Sequence, residues 1–141
     1  MAIQFTSHEV KDRLKDKRRL KGFLKDLFAA EGQDLKSLHY IFCNDAYLLE
    51  INQQFLKHDT YTDIVTFEMG EDPGITEGEI YVSTDRVEEN AEKFGVPYEQ
   101  ELHRVIFHGA LHLCGFKDKS KKEAELMRSK ENEYLSKYFG A

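Results

Sequence analysis

The chain has 141 residues, of which 40% are hydrophobic, and its formal net charge at pH 7 is −6. This length suits one hydrophobic core, so we predict a single domain over residues 1–141. No apolar run approaches the roughly 18 residues of a membrane helix, so we expect no membrane partner. The acidic balance argues against a protein that coats nucleic acid non-specifically. The N-terminal residues lack the zones of a signal peptide, which favours a cytoplasmic location.

Short β-branched or aromatic runs alternate with longer segments of helical periodicity, and turn residues separate them. From the N-terminus we predict an edge strand at 3–5, a helix from 7 or 9 to 30, a strand at 37–43, a helix from 44 or 45 to 55 and a strand at 62–67. A polar loop at 68–77 is followed by a strand at 78–83 and by helices at 84 or 85 to 93, at 98–114 and from 120 onward. This order predicts an α+β fold, with a small mixed sheet of about four strands packed with about five helices.

Helix starts are marked by side chains that can accept a hydrogen bond from the first turn. Thr84 or Asp85 is the predicted cap of the third helix, and Ser120 that of the last. Glu123 follows Ser120 by three residues, which is the spacing of a capping box.

Charge is unevenly distributed along the chain. Residues 11–25 and 117–122 are rich in lysine and arginine, whereas residues 68–101 are strongly acidic. Such a separation of charge allows a local basic track for a polyanion on an acidic molecule. For the first basic stretch taken alone, we favour the simpler interpretation of a solvated helix face.

Two histidines four residues apart, His108 and His112, lie on the predicted helix 98–114. Residues at this spacing share one helix face, so the two imidazoles can bind one metal ion. Gly115 follows, and glycine commonly ends a helix because it adopts a left-handed conformation without steric penalty. The chain can then turn and bring Asp118 back toward the histidines. Two imidazoles and a carboxylate leave a coordination position open to water, as catalytic metal sites do.

The alternative interpretation is that these histidines are only hydrogen-bonded, since a buried polar side chain requires a partner. The helix is rich in apolar residues and is predicted to be central and largely buried. His103 lies five residues before His108, off the ligand face, and we predict that it is structural or exposed.

Four segments together resemble the YbeY family of bacterial endoribonucleases, which are ribosomal-RNA maturation factors. Residues 108–116 read His-Gly-Ala-Leu-His-Leu-Cys-Gly-Phe, similar to the family hallmark His-Gly-x-Leu-His-Leu-x-Gly-Tyr-Asp-His, whose three histidines bind zinc. Segments 51–55, 62–67 and 78–83 are similar to the family's Leu-Asn-x-x-Tyr, Thr-Asp-Val-Leu-Ser-Phe and Gly-Asp-Ile-x-Ile-Ser. Order and spacing agree over nearly the whole chain.

The resemblance implies a zinc-dependent hydrolase that cleaves RNA phosphodiesters during ribosomal-RNA processing and ribosome biogenesis. Its implied partners are ribosomal RNA and the ribosomal small subunit or assembly factors. The implied metal ligands are His108, His112 and Asp118, with Asp118 standing where the family has its third histidine. A carboxylate binds zinc at about the same distance as imidazole does, but this ligand set also leaves iron, manganese or nickel open. The resemblance does not settle which residue moves the proton. The residues themselves make Asp63 and Glu79 the candidate accessory carboxylates, and Asp63 can equally be a turn residue at a strand start.

A second departure concerns substrate binding. Leu56 stands where the family usually has an arginine thought to contact substrate phosphate. Lys57 or His58 can replace that charge, or the basic stretches can hold the phosphate. The resulting candidates for RNA contact are Lys57, Arg18, Arg19 and Lys119.

The sequence is also compatible with two other functions. A metallopeptidase or other metallohydrolase would use the histidine pair, but Gly109 stands where His-Glu-x-x-His proteases carry their general base. A non-catalytic ribosome-assembly factor with a structural metal is favoured by the departures at Leu56 and Asp118.

Overall fold

The computed structural model describes residues 2–55 and 62–140. Within them, strands and helices follow in the order β1 Ala2–Ser7, α1 Lys17–Ala30, β2 Asp34–Cys43, α2 Asp45–Phe55, β3 Ile64–Glu68, β4 Ile75–Ser83, α3 Thr84–Phe94, α4 Tyr98–Leu113 and α5 Lys121–Phe139. The predicted α+β class, with four strands and five helices in this part of the chain, is confirmed. None of these helices combines the length and apolar character that a membrane span requires.

The four strands form one mixed sheet in the order β1-β2-β4-β3. β1 pairs with β2 and β2 with β4 in parallel, whereas β3 is antiparallel to β4. β1 therefore lies at an edge, as predicted. The β3–β4 connection is shorter than predicted, because β4 begins at Ile75 rather than at residue 78.

The main core lies between one face of the sheet and the helices α1, α4 and α5. Leu38 and Tyr40 of β2 and Ile80 of β4 are fully buried there together with Ile106 of α4. The Tyr40 hydroxyl donates a hydrogen bond of 2.7 Å to the Ile106 carbonyl, so the buried phenol is satisfied. A smaller cluster on the opposite face packs under α2. The predicted central position of the histidine helix α4 is thus confirmed.

Gly109 allows α4 to approach the sheet closely. A Cβ atom at this position would lie 2.9 Å from Ile64 Cδ1 and 3.0 Å from Ile80 Cδ1. Because both isoleucines belong to the adjacent strands β3 and β4, the helix turn between His108 and His112 rests directly on the sheet. Because glycine has no side chain, the backbone of α4 packs close against β3 and β4, and this packing sets the distance of the two histidines from the strands.

The prediction of a helix from residue 7 or 9 to 30 is wrong in its first half, since α1 begins only at Lys17. Glu9 and Asp16 adopt left-handed backbone conformations, with φ of 55° and 51°, which a continuous α-helix does not allow. The Asp12 carboxylate accepts a hydrogen bond of 3.1 Å from a backbone N–H two residues on. Such local side-chain bonds compete with helix formation, and they outweighed the apolar periodicity here.

The cap of α3 also differs from the prediction. Ser83, rather than Thr84 or Asp85, occupies the N-cap, and its hydroxyl accepts a hydrogen bond from a backbone N–H three residues on. At the last helix, the predicted capping box of Ser120 and Glu123 is confirmed, with both reciprocal hydrogen bonds formed. At the third helix, β4 therefore runs directly into α3, and Ser83, the last residue of β4, is the cap.

Candidate active site

A cavity of about 740 Å³ opens between α4, β3, α3 and α5. Five side chains that the sequence singled out line it: His108, His112 and Asp118, proposed as metal ligands, together with Asp63 and Lys119. Residues far apart in the chain thus meet at one concave surface, which is the usual form of a small-ligand or catalytic site.

His108 and Asp118 form the central pair of this cavity. Gly115, with φ of 104°, turns the chain after α4, and the His108 Nε2 atom lies 3.4 Å from the Asp118 Oδ2 atom. Two ligand atoms that each lie about 2.0–2.1 Å from a tetrahedral zinc ion are about 3.4 Å apart. The separation of this pair therefore fits two donors to one tetrahedral ion. The predicted return of Asp118 toward the helix is observed.

The third proposed ligand is His112. His112 lines the same cavity, and its side chain is exposed. Over residues 2–55 and 62–140, no group of three His, Cys, Asp or Glu donors lies close enough to hold a metal ion together. Of the three proposed ligands, the structure thus shows a close contact only between His108 and Asp118, and His112 shares their cavity.

The other ring nitrogen of His108 meets a carboxylate that sequence reasoning missed. Its Nδ1 atom lies 2.7 Å from the Oε2 atom of Glu131, a buried residue of α5 whose exposed fraction is 5%. Burial alone would lower the pKa of His108, but the hydrogen bond and charge of Glu131, with smaller contributions from Asp118 and Asp63, raise it. The imidazole is therefore held between carboxylates.

Asp63 is the predicted catalytic carboxylate that does reach the cavity. Burial raises the pKa of its carboxyl group, and the neighbouring His108 opposes that shift. A carboxyl group with a raised pKa exchanges its proton closer to neutral pH, as a general base or acid requires. Glu101, one turn before Arg104 on α4, also lines the cavity, and burial likewise raises its pKa.

Among the residues that the structure describes, three cationic side chains line the cavity beside these acids. Lys119 was predicted, whereas Arg104 and Arg128 were not. Arg104 lies one helical turn before His108, so the same spacing that identified the histidine pair could have found it. Arg128 belongs to α5, and nothing in its sequence surroundings points to the cavity. Guanidinium groups bind phosphate oxygens well, so the cavity can accept a phosphodiester beside the histidines.

The structure does not bring Glu79 to this cavity. Gly78 and Ile80 of β4 face α4, and Glu79 between them therefore faces the opposite side of the sheet. There the charge of Glu79 contributes, after burial, to a raised pKa of Tyr81. Because successive side chains of a strand point to opposite faces, Glu79 is separated from the histidines by the sheet.

The arginines proposed for RNA contact lie on α1, away from the cavity. The Arg19 guanidinium lies 4.0 Å from the centre of the Tyr138 ring and donates a hydrogen bond to the Tyr138 carbonyl near the end of α5. Arg18 is exposed on the same helix. The remaining candidate, Lys57, falls outside the described residues, as do Leu56 and His58.

Comparison with known proteins identifies the family. The sequence model described as Endoribonuclease YbeY matches residues 3–139. The chain belongs to the YbeY family. The resemblance seen in the sequence motifs is therefore confirmed over almost the whole chain.

Similar proteins cover nearly the whole length of the chain. Endoribonuclease YbeY of Flavobacterium psychrophilum is 45% identical over 129 residues, which are 92% of this chain and 91% of that protein. Endoribonuclease YbeY of Bacteroides thetaiotaomicron is 43% identical over 136 residues, covering 96% and 98%. The solution structure of TM1509 from Thermotoga maritima is 33% identical, with a TM-score of 0.66 over 98% of this chain and 89% of that one. The fold is thus shared with a solved structure.

Proposed function

We propose that the chain is a metal-dependent endoribonuclease that acts in ribosomal-RNA maturation and ribosome biogenesis in the cytoplasm. Its partners would be ribosomal RNA and the ribosomal small subunit or assembly factors. The observation that carries the proposal is the His108–Asp118 pair, whose 3.4 Å separation suits a bound divalent ion at the wall of a cavity that also carries cations. The name Endoribonuclease YbeY, which relatives covering nearly the whole chain bear, supports RNA as the substrate.

In this proposal His108, His112 and Asp118 hold one divalent ion, zinc in the first instance, with iron, manganese or nickel as other candidates. When bound, such an ion supplies a Lewis acid and a water molecule of lowered pKa. Arg128 and Lys119 of the cavity wall bind the phosphate of the substrate and orient it toward the histidines.

Asp63 is the group best suited to move a proton in this reaction. Its side chain lines the cavity, and burial raises the pKa of the carboxyl group. The raised pKa allows the carboxylate to accept a proton from the attacking water near neutral pH and to return it afterwards. Glu79, the other carboxylate considered, faces away from the cavity and has no part in the proposal.

The packing of Gly109 weighs against a peptidase. In His-Glu-x-x-His proteases the residue after the first histidine carries the catalytic carboxylate. Here even a Cβ atom at Gly109 would meet Ile64 and Ile80 at about the closest distance that real contacts show. This position faces the sheet rather than the cavity, so no side chain there could serve as a base.

A non-catalytic assembly factor with a structural metal remains the second candidate, because the sequence departs from the family pattern at Leu56 and Asp118. The 46% exposed Asp118 side chain leaves the proposed ion open toward the cavity, which suits a catalytic site better than a closed structural one.

The test compares wild type, His112→Ala and the control His39→Ala, which removes a histidine of β2 that is hydrogen-bonded to Thr6 and does not line the cavity. We expect wild type and His39→Ala to retain about one ion per chain and to cleave single-stranded ribosomal-RNA fragments, whereas His112→Ala loses about 100-fold or more in cleavage. Metal analysis and a gel assay with 5′-labelled RNA measure both quantities.

Equal cleavage by wild type and His112→Ala would indicate a contaminating nuclease, and the endoribonuclease proposal would fail. A metal-loaded wild type that cuts neither RNA nor casein would favour the assembly factor. Metal-dependent cleavage of casein without cleavage of RNA would favour the peptidase.

A further inference from the structure

Glu131 connects two helices at the back of the proposed metal site. It lies on α5, 23 residues beyond His108 of α4, and its Oε2 atom accepts a hydrogen bond of 2.7 Å from the His108 Nδ1 atom. The carboxylate is nearly inaccessible to solvent, with 6% of the side chain exposed. A charge buried to this degree requires strong partners, so its contacts determine where it can point.

Arg104 fixes the orientation of this carboxylate. Its Nη1 atom donates to the Glu131 Oε1 atom at 3.1 Å and also to the Asn132 side-chain oxygen at 3.1 Å. The Nε atom of Arg104 lies 3.6 Å from the Glu101 carboxylate. With one carboxylate oxygen held by the guanidinium, the other is directed at the imidazole.

This arrangement determines the tautomer of His108. An ionised carboxylate only accepts hydrogen bonds, so the proton between Glu131 and the ring must reside on Nδ1. In the neutral ring the lone pair then resides on Nε2, the atom that lies 3.4 Å from Asp118. Histidines that bind a metal commonly donate their other N–H to a carboxylate in this way, which fixes the ring and raises its basicity.

We propose that Glu131, held by Arg104, is the positioning residue of the metal site, which keeps the Nε2 lone pair of His108 directed at a divalent cation. The inference rests on the proposed function only in that it takes this site to bind a metal. It adds a residue that touches neither ion nor RNA and acts through His108.

Glu131→Gln is the decisive substitution because it preserves size but not chemistry. If the amide oxygen faces Arg104, the amide N–H₂ group faces His108 and favours the tautomer with its proton on Nε2. If the amide is turned round, the N–H₂ group faces the guanidinium, donor against donor. The first orientation removes the Nε2 lone pair of His108, and the second loses the contact with Arg104. Glu133→Gln, an exposed position on α5 that pairs with surface lysines, makes the same charge change as a control.

The experiment titrates Zn²⁺ into each metal-free protein in competition with a chromophoric chelator. We expect the Zn²⁺ dissociation constant to rise by about 10–100-fold in Glu131→Gln and to stay within about twofold of wild type in Glu133→Gln. In parallel, ¹⁵N NMR of ring-labelled histidine, at a pH where the ring is neutral, should show the His108 proton on Nδ1 in wild type and a population shifted toward Nε2 in Glu131→Gln.

The outcomes separate this inference from the proposed function. If wild type binds Zn²⁺ and Glu131→Gln binds it equally well, the positioning role is overturned and the proposed function stands. If wild type binds neither Zn²⁺ nor Fe²⁺, Mn²⁺ or Ni²⁺, both are overturned. Should Glu131→Gln fail to fold, the wild-type NMR measurement decides, since a His108 proton on Nε2 would overturn the role and a proton on Nδ1 would support it.

Discussion

Two histidines on the same helix, His103 and His108, show how surroundings decide what an imidazole does. Each directs its Nδ1 atom at an oxygen 2.7 Å away. For His103 that oxygen is the backbone carbonyl of Glu99, whereas for His108 it belongs to the Glu131 carboxylate. Because neither a carbonyl nor a carboxylate oxygen can donate a hydrogen bond, the tautomer with its proton on Nδ1 is favoured in both histidines.

The second ring nitrogen distinguishes the two. His103 is 1% exposed, its ring stacks on Tyr138 with centroids 5.0 Å apart, and its Nε2 atom has no hydrogen-bond partner among the described residues. Burial lowers the pKa of His103. The Nε2 atom of His108 instead opens to the cavity and Asp118. His103 is therefore packed among aromatic rings, which agrees with the structural alternative predicted for it, whereas His108 is the proposed metal ligand.

The largest expected effect comes from replacing each of the two histidines of α4 with asparagine. Asparagine can keep a donor near the Nδ1 position but has no atom at Nε2. His108→Asn should therefore weaken Zn²⁺ binding by about 100-fold or more, whereas His103→Asn should leave it unchanged. Isothermal titration with Zn²⁺ measures both. Comparable losses in the two variants would mean that metal binding depends on the whole helix rather than on the His108 end.

A smaller effect is expected where α4 rests on the sheet. Gly109→Ala places a Cβ atom 2.9 Å from Ile64, and overpacking of this kind costs about 1–3 kcal/mol, against about 1 kcal/mol gained in helix propensity. We expect a net loss of about 1 kcal/mol in the free energy of unfolding, measured by urea denaturation.

The control is Gly22→Ala on α1, where a new Cβ atom meets nothing within 4 Å. That variant should gain about 0.5–1 kcal/mol from helix propensity alone. A Gly109→Ala protein as stable as Gly22→Ala would show that the helix is not held tightly against β3 and β4.

The smallest expected effect is on the pH dependence of folding stability, to which the two histidines should contribute with opposite signs. The pKa of His103 is lowered in the folded state, so its contribution to stability is present above the ordinary value of 6.5 and is lost as pH falls below it. The pKa of His108 is raised, so its contribution is present below 6.5 and is lost as pH rises through the folded value.

Metal-free wild type is compared with each asparagine variant by denaturation between about pH 5 and pH 8, a range that spans ordinary histidine titration. As pH falls, the stability advantage of wild type should shrink relative to His103→Asn and grow relative to His108→Asn. If the stability difference between wild type and variant changed with pH in the same direction for both variants, the assignment of opposite environments to His103 and His108 would be contradicted.

Much of the architecture could be predicted because it depends on local pattern. Short β-branched and aromatic runs placed the strands, helical spacing placed the histidine pair, and the Ser120–Glu123 spacing predicted a capping box that is observed. The wrongly predicted start of α1 shows the limit of that reasoning, since Glu9 and Asp16 adopt left-handed backbone conformations that apolar periodicity does not reveal. Local hydrogen bonding decided the backbone there.

The sequence by itself determined that His108 and His112 share one helix face and that the chain turns after them toward Asp118, because four-residue spacing and a glycine after the helix are local features. Only the tertiary structure decided how that site is supported. Glu131 reaches His108 across 23 residues of chain, and its orientation depends on the packing of α5 against α4. Contacts between separate helices follow from how their surfaces fit together, which no short stretch of sequence encodes.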